Sequence, residues 1–499
     1  MPATGRRLRF AASEGEVAVS ESVNRLIGAG LWPTIPVLRQ SRVTGEGAIT
    51  LLLGNMEEAS MAFAARCSAV MGSLATAAVL SASAICTPAL AQDDTGPLRM
   101  GFVTFLSGGA AGPFGIPARN AAEMMIEAIN AGEVPAPYNT PGIAGRQIEP
   151  VIIDEAGGAT KQVAEFRNLV QRQNVDLVVG YISSGDCLAV PPVAEELQVL
   201  TVLFDCGTPR VFEEASYKYV FRTGAHAAMD NIAAARYLLD HMPDVKTVAG
   251  INQNYAWGQD SWADFTSVMK VLHPETEITT EQFPKIFAGQ YGAEISALLV
   301  SGSDAVHSSL WGSDLEAFVL QGVARGLFDE SQVVLTAGEP ALPRLGRQIP
   351  DGVIVGARGP HGDLAPPSEL NDWFRERFIA KYGDIPVYAT YKAAQALLGV
   401  KAAYEKAAEA AGGFPTTDQV IAAFEHLEFV GPSGPVTMAI GNGHQAVQEN
   451  AIGMTKYDED LGRVTLTNIT RYDQWCVNPP DGVSSVEWIK SGMPGAKCE

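Results

Sequence analysis

Short apolar runs alternate with longer segments of helical period through most of the chain. Runs of roughly four to eight residues rich in Val, Ile and Leu are typical of buried strands, and apolar residues repeating every three or four positions are typical of helices. The predicted strands are 98–105, 148–154, 175–181, 199–204, 219–226, 247–251, 305–311, 333–338 and 352–358. The predicted helices are 118–131, 160–173, 189–197, 227–242, 259–272, 314–327, 369–383 and 388–411.

This strand-then-helix order stops and restarts after residue 226, which predicts two half-size α/β units with parallel sheets. Two such units in one chain form two lobes with a cleft between them. Ligands of parallel α/β sheets bind outside the carboxyl ends of the strands, so we expect a ligand in that cleft. A Gly-rich β-like region, 429–472, follows the last helices.

Polar or aromatic clusters follow nearly every predicted strand. They are "SSGDC" (183–187), "DCGTP" (205–209), "NYAWGQD" (254–260), "WGSD" (311–314) and "GEP" (338–340). Each alone is compatible with ordinary turn or helix-cap chemistry. Because all five come at strand ends, they would line the facing sheet edges, which favours a binding cleft. In "NYAWGQDSW", Trp262 has core spacing with Phe265 and Met269, whereas Tyr255 and Trp257 are candidate ligand contacts.

The segment 61–91 has the pattern of a secretory signal: a single Arg66, an apolar Ala-rich stretch, then Ala89-Leu90-Ala91. A transmembrane anchor is the alternative, but Ser and Thr residues interrupt the run. Cleavage after Ala91 would release the protein into the periplasm. Because a signal peptide must emerge first from the ribosome, we expect residues 1–60 to be an extension from a wrongly assigned start codon, with Met61 as the true start.

The cysteine pattern agrees with export. Cys67 and Cys86 would leave with the signal, and four cysteines would remain. Four cysteines allow three pairings. Cys187 and Cys206 each lie just past a predicted strand, so we expect them to pair at one sheet end, and Cys476 to pair with Cys498 and close the C-terminal tail. No CxxC motif or nearby His supports a zinc site.

The net charge and the sequence motifs count against several classes of function. The net charge of −21 opposes binding to nucleic acid and to anionic membranes. The loop "LSGGAAGPFG" superficially resembles a dinucleotide loop, but Ala110 stands where the second glycine is needed and Asp154 lies too far along. P-loop, HExxH and GxSxG motifs are missing and the histidines are scattered singly. We therefore expect no enzyme activity, no cofactor and no metal.

The order and spacing of several segments resemble the periplasmic solute-binding proteins of the branched-chain amino acid and amide family. These segments, which span nearly all of 98–472, are "GFVTFLSGGAAGPFGIPARNAAEMMIEAIN", "IAGRQIEPVIIDEAGGATKQVAEFRNLV", "VDLVVGYISSG", "VFRTG" and "YAWGQD". The resemblance implies two Rossmann-like lobes joined by a multi-segment hinge, and a monomer that binds a small molecule by hinge closure and delivers it to an ABC permease in the inner membrane.

The resemblance also assigns roles by position. Ser184, with Ser183 beside it, resembles the hydroxyl that receives a ligand carboxylate, and Asp205, Cys206 and Gly207 fall where the family grips the amino and carboxylate groups. On the other side of the cleft, Trp257 and Trp311 fall on closing aromatics and Glu339 on the acid that pairs with an ammonium. Phe114 falls on an aromatic of the first loop. Asp205 and Gly207 depart from the usual pair, which puts the standard amino-acid clamp in doubt.

From the pattern and the resemblance together we expect lobe 1 to comprise 92–223 and 361–428, lobe 2 to comprise 224–360 and 429–475, and a tail, 476–499. The expected ligand is a small amino acid, amide or related amine. An aromatic carboxylate is the alternative if Arg210 or another cation reaches the cleft. A ligand sensor with the same fold, and a secreted enzyme with a dyad in the cleft, are two further hypotheses.

Overall fold

The computed structural model describes residues 96–498, so the segments 1–60 and 61–91 lie outside the described residues. Two sheets organise the described chain. Its strands are β1 (Leu98–Thr104), β2 (Ile148–Asp154), β3 (Leu177–Gly180), β4 (Leu200–Leu203), β5 (Val220–Arg222), β6 (Thr247–Ile251), β7 (Glu277–Gln282), β8 (Ala305–Ser308), β9 (Gln332–Leu335), β10 (Ile354–Gly356), β11 (Glu428–Gly431), β12 (Gly434–Ile440), β13 (Gln445–Val447), β14 (Asn450–Asp458) and β15 (Arg463–Tyr472).

Helices cover the sheets and connect the parallel strands. They are α1 (Ile116–Ala131), α2 (Ala159–Gln171), α3 (Ser184–Ala189), α4 (Pro191–Leu197), α5 (Arg210–Glu213), α6 (Ala227–His241), α7 (Ala256–Leu272), α8 (Gly292–Ser301), α9 (Ser313–Ala324), α10 (Leu327–Glu330), α11 (Leu342–Leu345), α12 (Glu369–Tyr382), α13 (Tyr388–Ala411), α14 (Thr417–Phe424), α15 (Gln474–Val477) and α16 (Ser485–Lys490). Within residues 96–498, no helix is both long and apolar enough to cross a bilayer.

The first sheet has the strand order β11-β12-β13-β5-β4-β3-β1-β2, and the second has the order β15-β14-β10-β9-β8-β6-β7. The strands β1 to β5 run parallel, as do β6 to β10, and the late strands β12 and β14 add antiparallel pairs. This confirms the predicted α/β class with two lobes. We name the lobe built on the first sheet lobe 1 and the other lobe 2.

The central strands are apolar because they are covered on both faces. Every residue of β3 and β4 is buried, and both strands consist mainly of Leu and Val. The edge strand β7, by contrast, has a half-exposed, Thr-rich sequence and was not predicted, because a strand covered on one side only lacks the continuous apolar run. The predicted helix 189–197 corresponds to α4, which begins at Pro191, and a separate short helix, α3, precedes it.

One expected lobe boundary is wrong. The segment 429–475 was assigned to lobe 2, but β11, β12 and β13 belong to the first sheet, where Gln445 pairs with Arg222 of β5. The chain enters the second sheet only at Asn450, the first residue of β14. The sequence pattern shows that these segments are strands, but pairing between strands so distant in the chain leaves no local signal.

Both expected disulfides are present: Cys187 is bonded to Cys206 and Cys476 to Cys498. The first joins the loops that follow β3 and β4, at the carboxyl edge of the first sheet. The second closes the tail, whose helix α16 packs against α7 of lobe 2. The first disulfide therefore bears on the cleft and the second on the outer face.

Candidate functional site

The lobes meet at the carboxyl ends of their strands around a small cavity of about 10 Å³, close to the room that one water molecule needs. Five predicted site residues line it: Ser184, Gly207, Tyr255, Trp257 and Trp311. Ile182, Ala337, Arg358 and Tyr388 complete the lining. The cavity is the cleft expected from the sequence, and the side chains of the two lobes nearly fill it.

The lobe 1 wall is made of backbone and small polar groups together with the side chains of Ile182 and Tyr388. The Ser184 hydroxyl accepts hydrogen bonds from the backbone N–H groups of Gly207, at 3.2 Å, and Thr208, at 3.1 Å. These bonds hold together the loops after β3 and β4, and the hydroxyl proton remains available to a ligand. Ser183 does not line the cavity, and the Cys206 sulfur is bonded to Cys187 within the buried core. The side chain of Cys206 is therefore part of the framework.

Gly207 lies where the lobes approach most closely. A Cβ atom at this position would overlap the six-membered ring of Trp257 and would lie 2.7 Å from Nη2 of Arg358. A glycine is required here because the backbone of lobe 1 touches an indole face of lobe 2.

The lobe 2 wall is aromatic, and each indole is fixed by a hydrogen bond. Trp257 donates from Nε1 to the Ser309 carbonyl at 2.8 Å, and Trp311 donates from Nε1 to the Tyr255 hydroxyl at 2.8 Å. Burial raises the pKa of Tyr255, so its phenol stays neutral. The wall therefore offers ring faces of defined orientation.

Phe114 lies behind this wall and joins the lobes. Its ring meets Trp311 of lobe 2 edge to face at 5.4 Å, and Tyr388 of lobe 1 in the same way at 5.3 Å. Such pairs add about 0.5–1.5 kcal/mol beyond the burial of their area. Phe114 thus supports the closed arrangement without lining the cavity.

Arg358, which the sequence analysis missed, is the central charged group. Its Nη1 donates to Asp205 Oδ1 of lobe 1 at 2.7 Å, and its Nε donates to Asp230 Oδ2 of lobe 2 at 3.1 Å. Nη2 donates to the Ala225 carbonyl at 2.7 Å, and the guanidinium stacks 4.5 Å from the ring centre of Trp257. Burial lowers the pKa of Arg358, but Asp205 and Asp230 raise it more, so the group stays charged.

Asp205 is buried between two cations. Besides Arg358 it faces Lys392 of α13, whose Nζ lies 3.1 Å from Oδ1 without the alignment of a hydrogen bond. Burial and the charge of Arg358 lower the pKa of Lys392 to about 8. The second carboxylate oxygen of Asp205, Oδ2, has no hydrogen-bond partner among the described residues. Asp205 therefore lies behind the lining and neutralises positive charge there.

Glu339 lies at the boundary of the lobes but outside the cavity lining. Its Oε2 accepts the backbone N–H of Tyr388 at 2.8 Å, at the start of α13. Burial raises the pKa of Glu339 to about 8. The carboxyl group thus caps a helix of the other lobe. The resemblance implied instead that this carboxyl group pairs with a ligand ammonium.

Arg210, the cation that the sequence offers for a carboxylate ligand, lies at the rim of the cleft. Its Nε donates to Asp260 Oδ1 of α7 at 3.0 Å, and Thr208 donates to the other oxygen of Asp260 at 2.7 Å. This ion pair joins the lobes, with the arginine about a third exposed. The cation in the cavity is Arg358 instead. The rule that strand ends face the cleft could have found Arg358, which lies two residues after β10, whereas Tyr388 lies on a helix and gave no such signal.

Comparison with known proteins agrees with this geometry. The family model described as "Periplasmic binding protein" matches residues 97–460. A protein called Leu/Ile/Val-binding protein homolog 6, from Brucella abortus (strain 2308), is 24% identical over 277 residues, which are 54% of this chain and 68% of the relative.

Solved structures show the same fold. A solute-binding protein of an ABC transporter from Rhodopseudomonas palustris BisB5, in complex with 3,4-dihydroxybenzoic acid, matches with a TM-score of 0.64 and 20% identity, over 76% of this chain and 98% of that one. An amino acid ABC transporter substrate-binding protein from Pseudomonas fluorescens Pf-5 matches with a TM-score of 0.64 and 19% identity, over 75% and 96%.

Proposed function

Because the chain belongs to the family of periplasmic binding proteins, we propose that it binds a small aromatic carboxylate in the cleft and presents it to an ABC permease. The family consists of solute-binding receptors, and it works in the periplasm with permeases. The ligand class is the part that rests on this chain's own residues. It is the alternative that the sequence made conditional on a cation reaching the cleft.

One observation carries the proposal: Arg358 lines the cavity among four aromatic side chains, those of Tyr255, Trp257, Trp311 and Tyr388. Within residues 96–498, no Asp or Glu side chain lines the cavity. Nη2 of Arg358 carries two N–H groups and donates one of them to the Ala225 carbonyl, so the other can donate a charge-assisted hydrogen bond to a carboxylate, and aromatic faces bury a ring. The complex of the Rhodopseudomonas relative with a dihydroxybenzoic acid supports this ligand class.

The same residues account for binding by closure. The ligand carboxylate would meet Arg358 and the Ser184 hydroxyl. The ring would lie against the indoles once the lobes have moved apart, because the cavity of about 10 Å³ has no room for a ring. Since groups from both lobes contact the ligand, the closed arrangement binds more tightly than an open one, and this difference in affinity drives hinge closure. The permease would then recognise the closed form.

A small amino acid or amine is the second candidate. The observation that favours it is Asp205 Oδ2, a buried carboxylate oxygen without a hydrogen-bond partner among the described residues. An ammonium that reached this oxygen would relieve the cost of leaving it unsatisfied, about 1–3 kcal/mol. The Brucella relative, named for Leu, Ile and Val, supports this candidate.

A thermal-shift panel separates the two candidates. Benzoate, 4-hydroxybenzoate, leucine, an amide and a polyamine would each be added to the purified chain. A ligand at 100 times its Kd adds about 2.7 kcal/mol of stability. We expect the benzoates to raise the Tm. A shift with leucine or the polyamine alone would replace the first candidate by the second, and no shift with any compound would contradict both.

A pair of matched variants tests the role of Arg358. Arg358→Lys keeps the charge but removes the planar guanidinium whose remaining Nη2 N–H would meet the carboxylate, so we expect the Kd for benzoate to rise about tenfold. Arg210→Lys, at the rim, should leave this Kd unchanged. Calorimetric titration measures both, and equal values for the two variants would remove Arg358 from the ligand site. Chromatography of recovered benzoate checks that nothing is turned over, as expected of a receptor.

A further inference from the structure

Two carboxyl groups are buried together just behind the lobe 1 wall. Glu155 follows β2 and is fully buried, and Asp186, in the first turn of α3, is 2% exposed. Neither lines the cavity. The loop from β3 to α3 carries Ser184 into the cavity lining. None of the roles assigned above uses these two acids.

Glu155 satisfies the backbone of that loop. Its Oε1 accepts the N–H of Ser183 at 2.7 Å and the N–H of Ile182 at 2.8 Å, and Oε2 lies 3.0 Å from the same Ile182 nitrogen. The preceding residue, Tyr181, has a φ of 77°, a left-handed conformation that costs a residue with a side chain about 1–3 kcal/mol. The loop therefore depends on contacts from outside itself, and Glu155 supplies two.

The two acids also lie close enough to act on each other. Each of Glu155 and Asp186 shifts the pKa of the other. Two carboxylates in such contact cannot both be ionised, because like charges in a buried site repel strongly. Burial raises the pKa of Glu155, and the charge of Asp186 raises it further. Burial also raises the pKa of Asp186, to about 6.

We propose that Glu155 and Asp186 hold one proton between them and that Glu155, through its bonds to Ile182 and Ser183, positions Ser184 for the ligand. One oxygen of Glu155 carries the proton and donates it to Asp186, and the other accepts the two backbone N–H groups. Glu155 is then a positioning residue, because it acts on the ligand through Ser184. The inference rests on the proposed function only in that Ser184 contacts the ligand.

The charge of the pair reaches the cleft. The ionisable groups on which this charge acts are Tyr181, which follows β3, and, from lobe 2, Tyr255. Burial raises the pKa of Tyr255, and Asp186 and Glu155 add to the rise. Since the pair carries one negative charge near neutral pH, a second proton taken up below pH about 6 removes that charge. Binding of an anionic ligand should then become tighter.

Amide hydrogen exchange of the ligand-free protein tests the positioning role. Glu155→Leu removes the acceptor, so exchange at Ile182 and Ser183 should become at least about tenfold faster. Glu155→Gln keeps an acceptor oxygen and gains an N–H donor toward Asp186, as the protonated acid has, so exchange should stay as in the wild type. Glu195→Gln is the control, because Glu195 accepts the Tyr219 N–H at 2.5 Å at the opposite, amino edge of the sheet.

If exchange in Glu155→Leu matches that of the wild type, or if the Gln variant exchanges as fast as the Leu variant, the proposal is overturned. Faster exchange at these two amides in the control would do the same. Because no ligand is present, this experiment stands even if the chain binds no carboxylate, so failure of the proposed function is recognised separately, by the thermal-shift panel.

A pH profile tests the shared proton. The Kd for benzoate, measured from pH 5 to pH 8, should fall severalfold as the pH drops through about 6 in the wild type. Asp186→Asn, which cannot ionise, should bind benzoate without this step and keep a folded circular dichroism spectrum. A step that persists in Asp186→Asn assigns the titration to another group and refutes the shared proton. A flat wild-type profile refutes it as well.

Discussion

The two walls of the cleft are built in different ways. The lobe 1 wall consists of a hydroxyl, backbone groups and the side chains of Ile182 and Tyr388, and its two loops are held by a disulfide and by Glu155. The lobe 2 wall consists of aromatic rings and Arg358, each held by hydrogen bonds from the tip of the side chain. The shape of the lobe 1 wall depends mainly on the backbone, and the shape of the lobe 2 wall depends on side-chain conformations.

This difference indicates that the two walls have different roles in ligand binding. A wall fixed by covalent and backbone bonds keeps its shape when the lobes separate, so it can receive the ligand first. A wall of side chains whose contacts cross the interface, as those of Trp257 and Arg358 do, is complete only when the lobes meet. Under the proposed function, lobe 1 would set the position of the ligand and lobe 2 would supply the energy of closure.

The largest expected effect is on stability. It compares loss of the buried ion pairs of Arg358 with loss of the part-exposed pair between Arg210 and Asp260. Arg358→Met would leave Asp230 buried without its ion-pair partner and Asp205 with Lys392 alone, which costs about 3–5 kcal/mol of the free energy of unfolding. Arg210→Met breaks a part-exposed pair with Asp260 and should cost about 1 kcal/mol or less. Urea denaturation measures both. Similar losses would mean that the lobes are joined as strongly at the rim as at the centre.

The two disulfides should differ in function but not in size of effect. They close loops of similar sequence separation, 19 and 22 residues, so removing either by Ala substitution of both cysteines should cost about 3 kcal/mol of stability. Only the loss of Cys187–Cys206 should also weaken ligand binding, because only this bond shapes the wall. A larger change in Kd after removing Cys476–Cys498 would contradict the assignment of the tail to the outer face.

The smallest expected effect compares two tryptophans on one helix. Trp257→Phe loses the bond to Ser309 and part of the face over Gly207, and the Kd should rise about tenfold, or ~1.4 kcal/mol. Trp262→Phe loses a bond to Glu281 in the core of lobe 2, so stability should fall and the Kd should stay constant. Titration and thermal unfolding of both variants check this. The reverse result would exchange their roles.

The sequence predicts the cleft better than the chemistry within it. Ser184, Gly207 and Trp257 were found because the strand-end rule depends only on local pattern and on the order of elements. Glu339 satisfies the same rule, yet its carboxyl group turns to the Tyr388 N–H instead of the cavity. Which way a side chain turns depends on packing against residues distant in sequence, and no local pattern encodes that.

The same limit applies to charges and to strand pairing. The sequence predicts that Asp205 is available to a ligand, because Arg358 and Lys392, which neutralise its charge, lie far along the chain. Likewise β13 reads as a strand but gives no sign that its neighbour is β5. Fold class follows from the periodicity of the whole chain, whereas each of these details follows from a single long-range contact.

The late return of β13 to the first sheet has a consequence for biosynthesis. The first sheet needs β13 between β5 and β12, and the second needs β14 and β15, so neither sheet has all its strands until the ribosome has passed residue 447 or 472. Contacts of such long range form slowly. Before that point the nascent chain has no complete lobe, and it can be threaded through a narrow translocation channel without first being unfolded.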